Sequence, residues 1–357
     1  MYARERVVRV RGRGWLPQLY RAYYSLKPPL GEPPEITRRE FAFQPFETDT
    51  YVRHMSFASV EELAAYLEEN HPRQVYYSIA LYEVPDAKGM EEKGWIGSEL
   101  LVDIDPEPGE GCTMVERLPG DDCIEGAYNQ AQRAASIMER DMGLKPRIYY
   151  TGHKGFHVKA SSPEVLTLSR EARRRIAVYI TAGDLDLARI FPRSRKGISP
   201  ATPSPGDPGW RGRIAELLRL EPGKGVEEVL GDEWEDRITS AIIEWRPAID
   251  HQVTQDPTRL TRVPGTLNGK AGFIAQEATH GFTLDPKRLS PFRGSLEILA
   301  STSITGVKLM GYEADIRKGR REEAPAWLAV LLESKGLLKG AWGEIVVRRP
   351  RSLPGAI

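Results

Sequence analysis

Two aspartates, one apolar residue apart, close a short apolar run: Leu100-Leu101-Val102-Asp103-Ile104-Asp105-Pro106. This stretch restricts the chain more than any other. Strand side chains alternate faces, so Asp103 and Asp105 project together while Ile104 turns into a core. Pro106 has no N–H to continue a ladder and ends the strand there. Like charges placed so close repel, and hard oxygen ligands on one face suit Mg²⁺ or Mn²⁺, which bind through one or two carboxylates plus substrate phosphates. A lone D-x-D is also compatible with a solvated strand end. The function therefore turns on whether the rest of the chain supplies a third acid and groups that hold phosphate.

A second stretch offers the phosphate groups. Tyr150-Thr151-Gly152-His153-Lys154-Gly155-Phe156-His157-Val158-Lys159 reads as a strand end, a tight turn bracketed by glycines, and a returning strand. Glycines allow backbone N–H groups to approach an anion, and Lys154 adds a point charge. On the returning strand Phe156 and Val158 face the core, while His157 and Lys159 face the other way. By itself this is also an ordinary hairpin. A third stretch, Asp250 to Gly272, supplies another acid, Asp250, read here as lying on a strand, and three cations, Arg259, Arg262 and Lys270. Acids for a metal and donors for phosphate are the parts that nucleotidyl transfer needs.

Composition sets the outer limits. The chain has 357 residues, enough for one large or two modest domains, with 40% hydrophobic and 28% charged residues. Its 50 basic and 50 acidic side chains cancel, which argues against coating nucleic acid by bulk charge but not against a local grip. Basic clusters at Arg6–Arg13, Arg170–Arg175, Arg189–Lys196, Arg317–Arg321 and Arg348–Arg351 read first as solvated faces. The charged N-terminal segment lacks the apolar run of a signal peptide, and no window has the apolar length of a membrane span. With Cys112 and Cys123 alone there is no disulfide framework, and a cytoplasmic location is expected.

Periodicity and punctuation place the elements. Helices are predicted at Leu16–Leu26, from the Ser59 capping box through Glu69, at Glu125–Met142 closed by Gly143, over Ser162–Ile180, over Ile214–Trp245 with a break at Pro222–Gly225, and around Pro325–Lys335. Strands are predicted at Arg39–Phe43, Val75–Val84, Leu100–Ile104, Arg147–Tyr150, Phe156–Ala160, Ile249–Val253, Arg259–Val263 and Ala271–Ala275, with loops at Glu107–Asp122 and Gly197–Gly212. The fold class is α/β (α+β): a catalytic module of mixed sheets flanked by helices, comprising residues 1–162 and 248–300. A mainly helical insertion spans 163–247, and a helical, charged extension spans 301–357.

Taken in order, D-x-D (Asp103, Asp105), T-G-x-x-G-x-H (Thr151 to His157) and D-x-x-V-T-x-D…R-L-x-R-x-P-G-T-L (Asp250 to Leu267) resemble the motifs of the catalytic small subunit of archaeal and eukaryotic DNA primase. Arg39-Glu40-Phe41, Arg53-His54-Met55-Ser56-Phe57 and Tyr76-Tyr77-Ser78 are similar to that family too, and the resemblance covers roughly Tyr20 to Phe273. It implies a primase making short primers on single-stranded DNA, with Asp103, Asp105 and Asp250 holding two Mg²⁺ or Mn²⁺ ions. It implies contacts to the incoming nucleotide's phosphates from the turn Thr151, Gly152, His153 and Lys154, from His157, and from Arg262 and Lys270. A separate primase large subunit, a single-stranded DNA template and nucleoside triphosphates are the partners implied; no membrane is.

This chain departs from the family pattern at four places. Asn268 stands where histidine is usual, His153 where arginine is common, and Thr151 where serine is. The loop after the acidic pair often carries a zinc knuckle, whereas here it has only Cys112 and Cys123, so a structural zinc site is not expected; a disulfide and two free thiols both remain open. Two other readings stay in view: a gap-filling or primer-extending repair polymerase of the same superfamily, and a non-catalytic nucleic-acid-binding scaffold.

Overall fold

The structure is a computed structural model that describes residues 4–109, 111–192 and 200–353. Its architecture is α+β, built on three antiparallel sheets and flanking helices. The sheet that carries the acids runs Gln276–Glu277, Arg147–Tyr150, Phe156–Ala160, Leu100–Ile104. One face, with Val102, Ile104, Ile148, Phe156 and Val158, is buried and packs against the long helix Asp121–Met142. That helix starts four residues earlier than predicted, because Asp121 and Asp122 in its first turn suit the positive end of the helix dipole. Gly143 ends it at φ 66°.

A second sheet runs Leu260–Arg262, Gln74–Ser78, Phe41–Gln44, Val52–Met55. The predicted strand Val75–Val84 is two strands, Gln74–Ser78 and Ala80–Tyr82, the latter pairing with Trp95–Ser98. Ser78 is the break. Its hydroxyl accepts from Glu40 N and donates to Ala80 O, and buried Arg39 donates to the carbonyls of Ser78 and Ile79. Helix Val60–Asn70 begins as predicted, with Ser59 accepting from Glu62 N.

The 163–247 stretch holds six helices among its described residues: Pro163–Leu166, Arg170–Ile180, Leu187–Ile190, Gly209–Leu218, Val226–Leu230 and Trp234–Trp245. Residues 193–196 of one basic cluster and 197–199 of the predicted loop lie outside the described residues. In each of the other clusters some side chains pair with neighbouring acids: Arg9 with Glu344, Arg174 and Arg175 with Glu171, Arg321 with Glu297, Arg348 with Glu5.

The chain's end differs most from expectation. Residues 301–357 were expected to be helical and charged, yet among the described ones only Ala326–Ser334 is helical and four strands surround it. The third sheet runs Glu5–Gly12, Leu338–Arg348, Ser295–Ala300, Arg321–Pro325, with Phe292–Arg293 also on Leu338–Arg348. Charged residues alternate with Leu338, Ile345 and Val347, which are buried. The charge that reads as a tail is the outer face of a strand.

Candidate active site

Register brings the first two motifs together. Phe156–Ala160 pairs with Leu100–Ile104 so that His157 stands opposite Asp103. Its Nε2 lies 3.3 Å from Asp103 Oδ1, and its Nδ1 lies 2.9 Å from Thr261 Oγ1, on the first strand of the second sheet. The imidazole therefore bridges the two sheets. Burial pushes the Asp103 carboxyl up, but the hydrogen bond and charge of His157, with Arg259 behind, outweigh it and hold the group below its ordinary range.

Asp105, just past the strand, is half-exposed and meets Lys154, whose Nζ lies 3.4 Å from Oδ2. Lys154 also donates to Pro106 O at 2.8 Å, so the turn is clamped to the strand end. Burial raises the pKa of Asp105; Lys154 opposes this, while the nearby charge of Asp103 reinforces it. The carboxylates thus repel as the sequence implied, and a hard cation would relieve the repulsion.

The turn requires its glycines. A Cβ on Gly155 would sit 2.6 Å from Ile104 O and 2.7 Å from Asp105 Oδ1. Gly152 adopts φ 80°, and a Cβ there would come within 2.7 Å of Phe273 O. Thr151 donates its hydroxyl to Gly155 O at 3.0 Å, closing the turn on itself. Lys159 faces away from the core as predicted but is buried between the sheets, against the Tyr77 hydroxyl and the rings of Tyr77 and Tyr149.

Asp250 arrives differently from the prediction. It caps the helix His251–Gln255 rather than lying on a strand, its Oδ1 accepting from Gln252 N at 2.8 Å and Val253 N at 3.1 Å. A carboxylate that satisfies two free amides favours a helix start over an extended run. Its own N–H donates to Asp103 O at 2.9 Å, which fixes the third acid beside the first. The carboxylates are held on neighbouring backbone, yet among the described residues no three His, Cys, Asp or Glu side chains already form a ligand cluster.

On the strand Leu260–Arg262, Thr261 points at His157, so Arg262 points to the opposite face. Its guanidinium lies 4.7 Å from the Tyr76 ring centroid and donates to the Tyr76 hydroxyl at 2.9 Å. The predicted strand Ala271–Ala275 is absent; only a single bridge, Leu267 to Ile274, remains. Asn268 curls the chain there. Buried, it donates to Thr151 O at 2.8 Å and accepts from Lys270 N at 2.9 Å, tying the Lys270 loop to the glycine turn. The residue that replaces the family's histidine is a strut. Gly272, at φ 75°, rests so closely on helix Ala326–Ser334 that a Cβ would meet Val330 at 2.3 Å.

Sequence reasoning overlooked four participants. Thr261 could have been found from strand alternation against Arg262. Arg259, named only among the basic residues, acts on Asp103. Arg173, fully buried, donates to Glu99 O and Ser98 O at 2.7 Å and anchors the start of the acidic strand. Lys335, after an apolar helix, places Nζ 2.7 Å from His153 Nε2; nothing local in the sequence marks it. Cys112 and Cys123 form a disulfide that joins the loop after the acids to the start of helix Asp121–Met142.

The DNA primase small subunit family matches residues 102–279, a span that begins on the acidic strand and takes in all three motifs. The chain is accordingly an enzyme of the nucleotidyltransferase class. It is 46% identical over 333 residues to the DNA primase small subunit PriS of Aeropyrum pernix, covering 93% of this chain and 94% of that one. It is 35% identical to the PriS of Sulfolobus acidocaldarius over 89% of this chain and 92% of that one. The chain belongs to the DNA primase small subunits, the catalytic subunits of DNA primase, and so to DNA replication. A solved polymerase domain from Mycobacterium tuberculosis ligase D in complex with DNA matches 40% of this chain and 55% of that one at 13% identity, with a TM-score of 0.28; so slight a likeness carries no argument. Membership as a small subunit implies a partner subunit. Among the described residues no helix is long and apolar enough to cross a membrane.

Proposed function

We propose that this chain performs template-directed nucleotidyl transfer at the acidic strand end, joining nucleoside triphosphates into short primers on single-stranded DNA. The observation that carries the reading is the register that sets Asp103 opposite His157, with Lys154 closed over Asp105. Asp103, Asp105 and Asp250 would hold Mg²⁺ or Mn²⁺. Their donor chemistry fits: hard carboxylate oxygens, two on one strand end and the third on a backbone bonded to it. When bound, such ions lower the pKa of an attacking hydroxyl and neutralise a departing pyrophosphate.

The chain's own groups do the positioning. His157, held on both ring nitrogens, fixes the Asp103 carboxylate. From the turn Thr151 to Gly155, Lys154 reaches the strand end, Gly152 lies on the loop that Asn268 braces and that carries Lys270, and His153 turns its ring toward Lys335. Arg262 contributes charge from the far face of its strand, felt at His153. The complete enzyme is a heterodimer with a primase large subunit, working in the cytoplasm.

Incorporation of labelled nucleotide on a single-stranded template with Mg²⁺ or Mn²⁺ tests this. Asp105→Ala is expected to lose more than the roughly 10²-fold typical of one stabilising group. Unchanged incorporation by that variant refutes the assignment.

A further inference from the structure

The proposed phosphate site has more positive charge around it than its motifs supply. Lys335 caps the C-terminal end of helix Ala326–Ser334, far from all three motifs in sequence, and its ammonium lies 2.7 Å from His153 Nε2. An ammonium has no lone pair, so the imidazole accepts and carries its proton on Nδ1. The surroundings keep that ring neutral: burial first, then the charges of Lys335, Lys270, Lys154 and Arg262 push its pKa well down. An apolar cavity lined by Ile124, Phe273, Leu309, Trp327 and Leu331 backs the ring. His153 thus cannot act as the cation that an arginine would be at this position; it aims one.

Three lysines from three separate elements converge here. Lys154 comes from the glycine turn, Lys270 from the loop braced on that turn by Asn268, and Lys335 from the helix that Gly272 packs against. Lys270, Lys154 and Arg117 all act against the charge of Lys335, and Asp105 acts for it. Cations gathered at one place repel unless an anion is shared among them, and a polyphosphate is the anion whose length spans several ammonium groups.

Resting on the reading above, we propose that Lys335, positioned by His153, is a phosphate-contacting residue that supplies from the C-terminal helix the charge missing from the turn. Its ligand is the triphosphate tail of the incoming nucleotide.

The full chain with Mg²⁺, titrated with ATP and separately with AMP, gives the test. Lys335→Gln is expected to weaken ATP binding about tenfold or more, leave AMP within twofold, and raise KM with kcat little changed. Lys335→Arg restores most of the loss, as does His153→Arg added to Lys335→Gln, an outcome that a merely structural lysine would not give. In the unmutated protein, saturating ATP should protect Lys335 from an amine-acylating reagent, read by mass spectrometry; this arm holds even where Lys335→Gln folds poorly. Unprotected Lys335, or ATP affinity unaltered in Lys335→Gln while Asp105→Ala abolishes incorporation, overturns the proposal alone. A wild-type chain that binds no ATP overturns it together with the reading on which it rests.

Discussion

The protonation of Lys335 responds strongly to its setting. Burial, reinforced by Lys270, Lys154 and Arg117, brings its pKa down to about 8, with Asp105 opposing; His153, its hydrogen-bond partner, is neutral. The sign follows directly. Below that value Lys335 is charged and attracts phosphate; as pH rises through it, the free enzyme loses the charge that the bound nucleotide favours. ATP affinity is therefore expected to fall about tenfold between pH 7 and 9.5, the scale of one hydrogen bond to a charged group. Binding near pH 8 should take up protons, seen calorimetrically as a heat that varies with the buffer's ionisation enthalpy. Lys335→Arg, which stays charged throughout that range, should bind with a flatter profile and without that uptake. A wild-type profile as flat as that of the arginine variant removes Lys335 from the site.

At the scale of elements, the site depends on how closely the glycine turn lies on the acidic strand. Gly155→Ala places a methyl 2.6 Å from a backbone carbonyl, which cannot rotate aside. The turn must lift, carrying Lys154 off Asp105. Incorporation is expected to drop at least tenfold, while the melting temperature shifts by only a few degrees, since the strands on either side keep their ladder. Equal activity in the variant would mean that the turn does not act as a clamp. These elements were legible beforehand because their signals are local. Alternation set the faces of Leu100–Ile104 and Phe156–Ala160, and paired glycines marked the turn. Asp250 was misread as strand because its helix exists only through the carboxylate cap and lasts five residues. Asn268 reads in the sequence only as a departure from the usual histidine, because its partners, Thr151 O and Lys270 N, are assembled only by the fold.

Across the whole molecule, the two ends of the chain are one structure. Glu5–Gly12 pairs along its full length with Leu338–Arg348, whose other edge carries Ser295–Ala300 and Phe292–Arg293. No local signal announces a partner more than 300 residues away, and the glycines Gly340 and Gly343 mask the strand's period, so the end of the chain read as a tail. It is the centre of a sheet on which helix Ala326–Ser334 packs, and that helix supports the Gly272 loop and carries Lys335 toward the turn. Stopping the chain after Gly336 would leave Glu5–Gly12 and Ser295–Ala300 with unpaired edges and expose Leu296, Ile298 and the apolar helix. Such a chain is expected to aggregate or to lose its cooperative thermal transition, measured by circular dichroism, and to lose ATP binding with it. A truncated chain that melts cooperatively at the wild-type temperature would show that the last strand is an appendage, and that the site's rear wall stands without it.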